Sequence, residues 1–134
     1  MDFVRAFGLH RPEETPCGAQ VPVSEAHALT ILLDEGPMAQ TDLAHRLELA
    51  KSTVSRLVDL LEDGGWAQRQ IGDTDSRRRL VELTAEGEKR ANEIVRLRRA
   101  RLSRLFDQIP PADRSQVLAA LDTLVEAARE SRDV

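Results

Sequence analysis

Apolar positions recur at helical spacing through most of the chain, and the period changes once. Residues 1–23 hold only a short possible helix, with Phe3, Val4 and Phe7 on one face, before Pro12, Pro16, Gly18 and Pro22 forbid a longer one. Ser24 is placed to cap a helix over Glu25–Glu35, whose Ala28, Leu29, Ile31, Leu32 and Leu33 form a broad apolar face. Gly36-Pro37 stops it. A shorter helix follows over Gln40–Leu47, with Leu43, Ala44 and Leu47 inward, and Glu48-Leu49 makes a turn. A third spans Lys51–Asp63, with Val54, Leu57, Val58 and Leu61 at i, i+3, i+4 and i+7, and Gly64-Gly65 ends it. The pattern then shortens to that of strands, Trp66–Ile71 and Arg79–Leu83, around the polar turn Gly72–Arg78. Thr84 caps a long helix to about Gln108 carrying Ile94, Leu97, Leu102 and Leu105. Pro110-Pro111 separates it from a last helix, about Ala112 to Ser131, striped by Val117, Leu118, Leu121, Leu124, Val125 and Ala128.

This order predicts a mainly α fold with a small β-hairpin (α+β): a winged helix-turn-helix with a helical dimerisation region. The divisions are an irregular arm at 1–23, a winged helix-turn-helix at 24–87, and a helical region at 88–134.

With 134 residues, 41% hydrophobic and 31% charged, the chain has the composition of a single globular domain rather than a disordered one. No apolar run approaches the roughly 20 residues a membrane span needs, and no signal peptide is visible, so a cytoplasmic location and no membrane partner are expected. The lone Cys17 excludes an intramolecular disulfide and a cysteine-rich zinc site. His10, His27 and His45 lack metal-ligand spacing, so no metal and no cofactor is expected. No Gly-rich phosphate loop, carboxylate pair or Ser/His/Asp set suggests an enzyme.

The formal charge of −4 argues at first against a polyanionic partner. Its distribution changes that. Residues 1–35 hold two basic and six acidic side chains, whereas residues 85–105 hold seven and three. Cations converging on one face can bind DNA despite an acidic whole. On the third helix the inward residues leave Lys51, Ser52, Thr53, Ser55 and Arg56 clustered on the outer side of the first turns. Small hydroxyl residues let the backbone approach base edges, and the Arg56 fork matches guanine O6 and N7. A solvated amphipathic face is the plain alternative; the arginine-tipped hairpin beside it favours DNA. The arginines at 96, 98, 99, 101 and 104 spread around their helix, which suits solvation and ion pairing.

Gln40–Leu47, Lys51–Val58, and Asp73–Arg78 through Leu83-Thr84-Ala85-Glu86-Gly87 resemble the first motif helix, recognition helix, wing and hinge of the MarR family of winged-helix transcriptional regulators. The likeness runs from about Ser24 to Gly87, and its Asp-x-Arg wing tip with a strand ending Leu-Thr-x-x-Gly is the most specific part. The resemblance implies DNA contacts from Gln40, Thr41 and the third helix, Arg77 in a minor groove, Asp75 bracing the tip, and Arg78 and Arg79 near phosphates. It implies a homodimer on a pseudo-palindromic double-stranded DNA site, built on the last two helices. Phe3, Phe7 and Phe106, the only phenylalanines, are expected near that interface, with an ordinary place in the intrachain core as the equal alternative. It further implies a repressor released by an unknown small molecule. Segments 51–56 and 73–79 should then project from one side of the molecule.

The chain departs from the family in three ways. Ala39 and Ala50 stand where Ser, Thr or Asp caps are expected, each loss worth about 0.5–2 kcal/mol unless Thr41 and Ser52 shift the helix starts. Uncapped N–H groups would alternatively receive phosphates. The long first helix of the family is missing. Cys17 lies near the N-terminus as in peroxide-sensing members, but their supporting tyrosines are absent. A redox-sensing regulator using Cys17, or a winged-helix module binding protein, stands as the alternative.

Overall fold

The computed structural model describes residues 1–71 and 79–132. Its elements run α1 (Asp2–Phe7), α2 (Val23–Glu35), β1 (Met38–Ala39), α3 (Gln40–Leu47), α4 (Lys51–Asp63), β2 (Ala67–Ile71), β3 (Arg79–Leu83), α5 (Ala85–Asp107), a 3-10 turn (Pro111–Asp113) and α6 (Arg114–Glu130). The fold is mainly helical with one small sheet, the expected winged helix-turn-helix. Two compact units, residues 1–99 and 100–134, divide within α5.

In the first unit, the four inward residues of α4 are all buried, as their helical spacing requires. They share a core with Leu29 and Leu32 of α2, Leu43 and Ala44 of α3, Val81 of β3, and Ala91 and Ile94 of α5. Fully burying a side chain such as Leu29 or Ile94 contributes about 1.5–3 kcal/mol. The arm joins this core. Thr15, Ala19 and Val21 are buried, the Thr15 hydroxyl accepts from the Ala19 amide at 3.0 Å, and the Val23 amide donates to the Pro12 carbonyl at 3.0 Å. In α1 the Phe3 and Phe7 rings stack at 5.5 Å outside that core, and Phe3 is exposed.

The sheet is antiparallel in the order β1-β3-β2. Ala67–Ile71 pair with Leu83–Arg79, and Met38 and Ala39 pair with Val81 and Leu80 on the other edge. Two residues show no alternation, so β1 leaves no sequence signature.

Three expected boundaries shift. Ser24 does not cap α2: the helix starts two residues earlier, at Val23, with Pro22 as N-cap and no side-chain cap bond. The fixed φ of proline already suits that position, at −56°. Trp66 lies before β2 rather than in it. Ala112 belongs to the 3-10 turn, where the Asp113 amide donates to the Pro110 carbonyl at 2.8 Å.

The hairpin is clasped to α5 at its base. The Thr84 amide donates to the Trp66 carbonyl at 3.1 Å, and its hydroxyl donates to the Gly65 carbonyl at 2.6 Å while accepting from the Gly87 amide at 3.0 Å. Thr84 therefore caps α5 as expected and also seals the hairpin. On the other side, the Arg90 guanidinium lies 5.6 Å from the Trp66 ring centroid, pairs with Glu93 and donates to the Gln20 carbonyl at 3.0 Å.

On α2, partial burial and, second, the Arg98 guanidinium push the His27 pKa below its ordinary value of 6.5. The unfolded chain then binds the imidazole proton more readily. Acidification through about pH 6.5 should therefore remove stability, and His27→Gln should flatten that limb of the stability curve. Urea unfolding of both proteins across this range tests it; parallel curves would mean that His27 titrates alike in both states.

The second unit stands apart in burial. No described residue in it is buried, and Leu102, Leu118, Leu121, Leu124 and Val125 are all exposed. The Arg114 guanidinium covers the Phe106 ring at 5.5 Å, and its Nε donates to the Ile109 carbonyl at 3.0 Å.

Candidate nucleic-acid interface

Helices α3 and α4 form the two arms of the motif. Both starts agree with the sequence reading, so neither Thr41 nor Ser52 rescues the missing cap. Ala39 and Ala50 occupy the N-cap positions in extended conformation with no side-chain bond. Each helix therefore opens with backbone N–H groups that no side chain satisfies. Glu48 turns the chain between them in the left-handed region at φ 55°, a conformation costing a non-glycine residue roughly 1 kcal/mol.

The outward residues fall where helical geometry puts them. Lys51, Ser52, Thr53 and Arg56 are exposed, Ser55 is half-buried, Thr41 is exposed and Gln40 is half-buried. Arg56 leans back along α4, its Nε donating to the Ser52 carbonyl at 3.4 Å. Its two Nη groups thus stay available as a fork. Neither Lys51 nor Arg56 has an acidic partner within 4 Å among the described residues. The first two turns of α4 thus carry two uncompensated cations beside free N–H groups.

Arg79 opens β3 and is exposed. Asp75, Arg77 and Arg78 lie outside the described residues, and so does most of the segment expected to project alongside 51–56. Cys17 sits half-buried in the arm, its Sγ 2.8 Å from the Thr15 hydroxyl. That partner is neutral, whereas activation of a thiol relies on a cation or a helix N-terminus.

Sequence reasoning missed Arg69. In β2 it reads as one polar residue of an alternating strand, yet its side chain is only 16% exposed. It pairs with Asp59 at 2.8 Å and with Glu62, and it donates to the Ser55 carbonyl and the Gln40 amide oxygen, each at 3.1 Å. The one available signal was the i, i+3 spacing of Asp59 and Glu62 on the face of α4 toward the hairpin.

A helix-turn-helix with a cationic second helix, followed by a hairpin clasped to a long helix, defines a winged helix-turn-helix protein. The MarR family model matches residues 21–79. The HTH-type transcriptional regulator YwoH of Bacillus subtilis is 41% identical over 53% of this chain and 51% of its own length. The HTH-type transcriptional regulator ML2140 of Mycobacterium leprae is 31% identical over 98% of this chain and 88% of its own. Among solved structures, Streptococcus pneumoniae FabT in complex with DNA superposes with a TM-score of 0.82 at 17% identity, covering 96% of this chain and 91% of that one. NadR in complex with 4-hydroxyphenylacetate gives 0.64 at 26% identity, covering 81% and 74%. The chain thus spans about half the length of YwoH and most of the length of ML2140. It belongs to the MarR family of helix-turn-helix transcriptional regulators.

Proposed function

We propose that this chain is a sequence-specific double-stranded DNA-binding regulator acting in the cytoplasm as a homodimeric repressor, released by a small molecule, with no catalytic step. The observation that carries the reading is that Lys51 and Arg56, on the first two turns of the uncapped α4, have no acidic partner within 4 Å among the described residues. Gln40, Thr41, Lys51, Ser52, Thr53, Ser55 and Arg56 form the major-groove surface. On the wing, Arg77 enters the minor groove, Asp75 braces the tip, and Arg78 and Arg79 meet phosphates. Repression follows where such a dimer occupies a promoter.

Dimerisation rests on the second unit. Its leucines cannot be covered within a unit that buries none of its described residues, and a second copy supplies the missing surface. The effector reading draws on an open cleft of about 570 Å³ in the first unit, with apolar walls from Ile31, Leu33 and Val95 and polar groups from Asn92, Arg98 and Arg99. The ligand-bound NadR neighbour lends it further support. The Cys17 alternative loses ground because, among the described residues, the hydrogen-bond partner of its thiol is the neutral Thr15 hydroxyl.

In-vitro selection with the purified protein should recover an imperfect inverted repeat with half-sites about one helical turn apart. Affinity for that repeat should fall with salt at a log–log slope of about −0.9 per phosphate contact. Arg56→Ala should relax one base position per half-site, at a cost of about 1–3 kcal/mol. A selection that enriches nothing sinks the reading in favour of a protein-binding module. An unaltered profile for Arg56→Ala removes that residue from base readout.

A further inference from the structure

Arg69 lies in the middle of β2, opposite Val81 of β3. Its neighbours Gln68 and Gln70 both donate to Glu82. Arg69 points to the other side of the sheet, as strand alternation requires, and there one guanidinium reaches both helices of the motif. Nε donates to Gln40 Oε1 on α3, Nη2 to the Ser55 carbonyl on α4, and Nη1 meets the Asp59 and Glu62 carboxylates.

Guanidinium nitrogens only donate, so this contact fixes which way the Gln40 amide faces. Its oxygen is turned inward, and its Nε2 makes no hydrogen bond among the described residues. Gln40 is also the first residue of α3, beside N–H groups that Ala39 leaves uncapped. A glutamine reads adenine only by offering an acceptor and a donor together. Here that oxygen is turned inward onto Arg69, which already takes one of its two lone pairs.

We infer that Arg69 is the positioning residue of the DNA-reading surface, holding Gln40 as a donor-only clamp for a backbone phosphate rather than a reader of bases. The same guanidinium offsets two carboxylates of α4 that would otherwise repel the polyanion, and it ties the wing strand to that helix. The inference rests on the DNA-binding reading above.

A double-mutant cycle tests it, measured on the site that the wild type selects and with thermal midpoints as folding controls. Gln40→Ala should weaken binding about fivefold, the effect of one neutral hydrogen bond. Its base preferences should stay unchanged, and its salt slope too, because the amide carries no charge. Arg69→Lys keeps the charge but cannot span all four partners; it should lose at least as much affinity. The double variant should lose little more than Arg69→Lys alone, because the clamp is already released. Additive losses, or an adenine vanishing from the Gln40→Ala profile, overturn the inference while the DNA-binding reading stands. If Arg69→Lys fails to fold, the Gln40→Ala profile alone decides. A wild type that selects no DNA overturns both.

Discussion

Gly87→Ala should destabilise the protein by about 3 kcal/mol, lowering the thermal midpoint by about 10 °C. The sign is unusual, since glycine to alanine inside a helix ordinarily stabilises by roughly 0.5–1 kcal/mol. A Cβ built on Gly87 would stand 1.9 Å from the Trp66 carbonyl oxygen, 2.8 Å from its carbon and 3.2 Å from its Cα. These are backbone atoms and cannot rotate away. The same Trp66 carbonyl accepts from Thr84, and the Gly87 amide donates to the Thr84 hydroxyl. Room for a methyl group requires the start of α5 to move off the hairpin, which strains the clasp that Thr84 makes to the Trp66 and Gly65 carbonyls. Thermal and urea unfolding measure the loss directly. A variant as stable as the wild type would mean that hairpin and helix do not meet in this way.

Leu121→Asp should convert the proposed homodimer to monomer, raising its dissociation constant by about a hundredfold or more. Leu121 is 46% exposed on α6, in line with the exposed Leu118, Leu124 and Val125. In a two-fold interface each copy presents the same patch, so every dimer would carry two buried, unpaired carboxylates. Sedimentation of both proteins at matched concentration distinguishes the outcomes. The inverted repeat should lose its advantage over a single half-site in the same variant. Leu121→Asp that still sediments as a dimer would place the interface elsewhere.

Much of this architecture was legible because local and tertiary preferences agree. α3, α4 and β3 begin and end where apolar spacing puts them, and the Thr84 cap follows from one hydroxyl ahead of a glutamate-rich turn. β1 escaped because two residues carry no period and take their pairing from β3. The arm escaped because prolines argue against a helix but say nothing about burial; Val21 and Ala19 enter the core as loop residues. Within the site, the exposed side chains of α4 follow from the inward face of the same helix. Arg69 does not, because its partners lie up to 29 residues away and only the packing of β2 on α4 brings them together.

A helical unit that buries none of its described residues has a consequence for the cell. In the proposed homodimer its order would depend on meeting a like chain, so newly made molecules at low copy number would present frayed helices to quality-control proteases. Lifetime would rise with abundance, giving the regulator a threshold in expression that no operator sequence encodes.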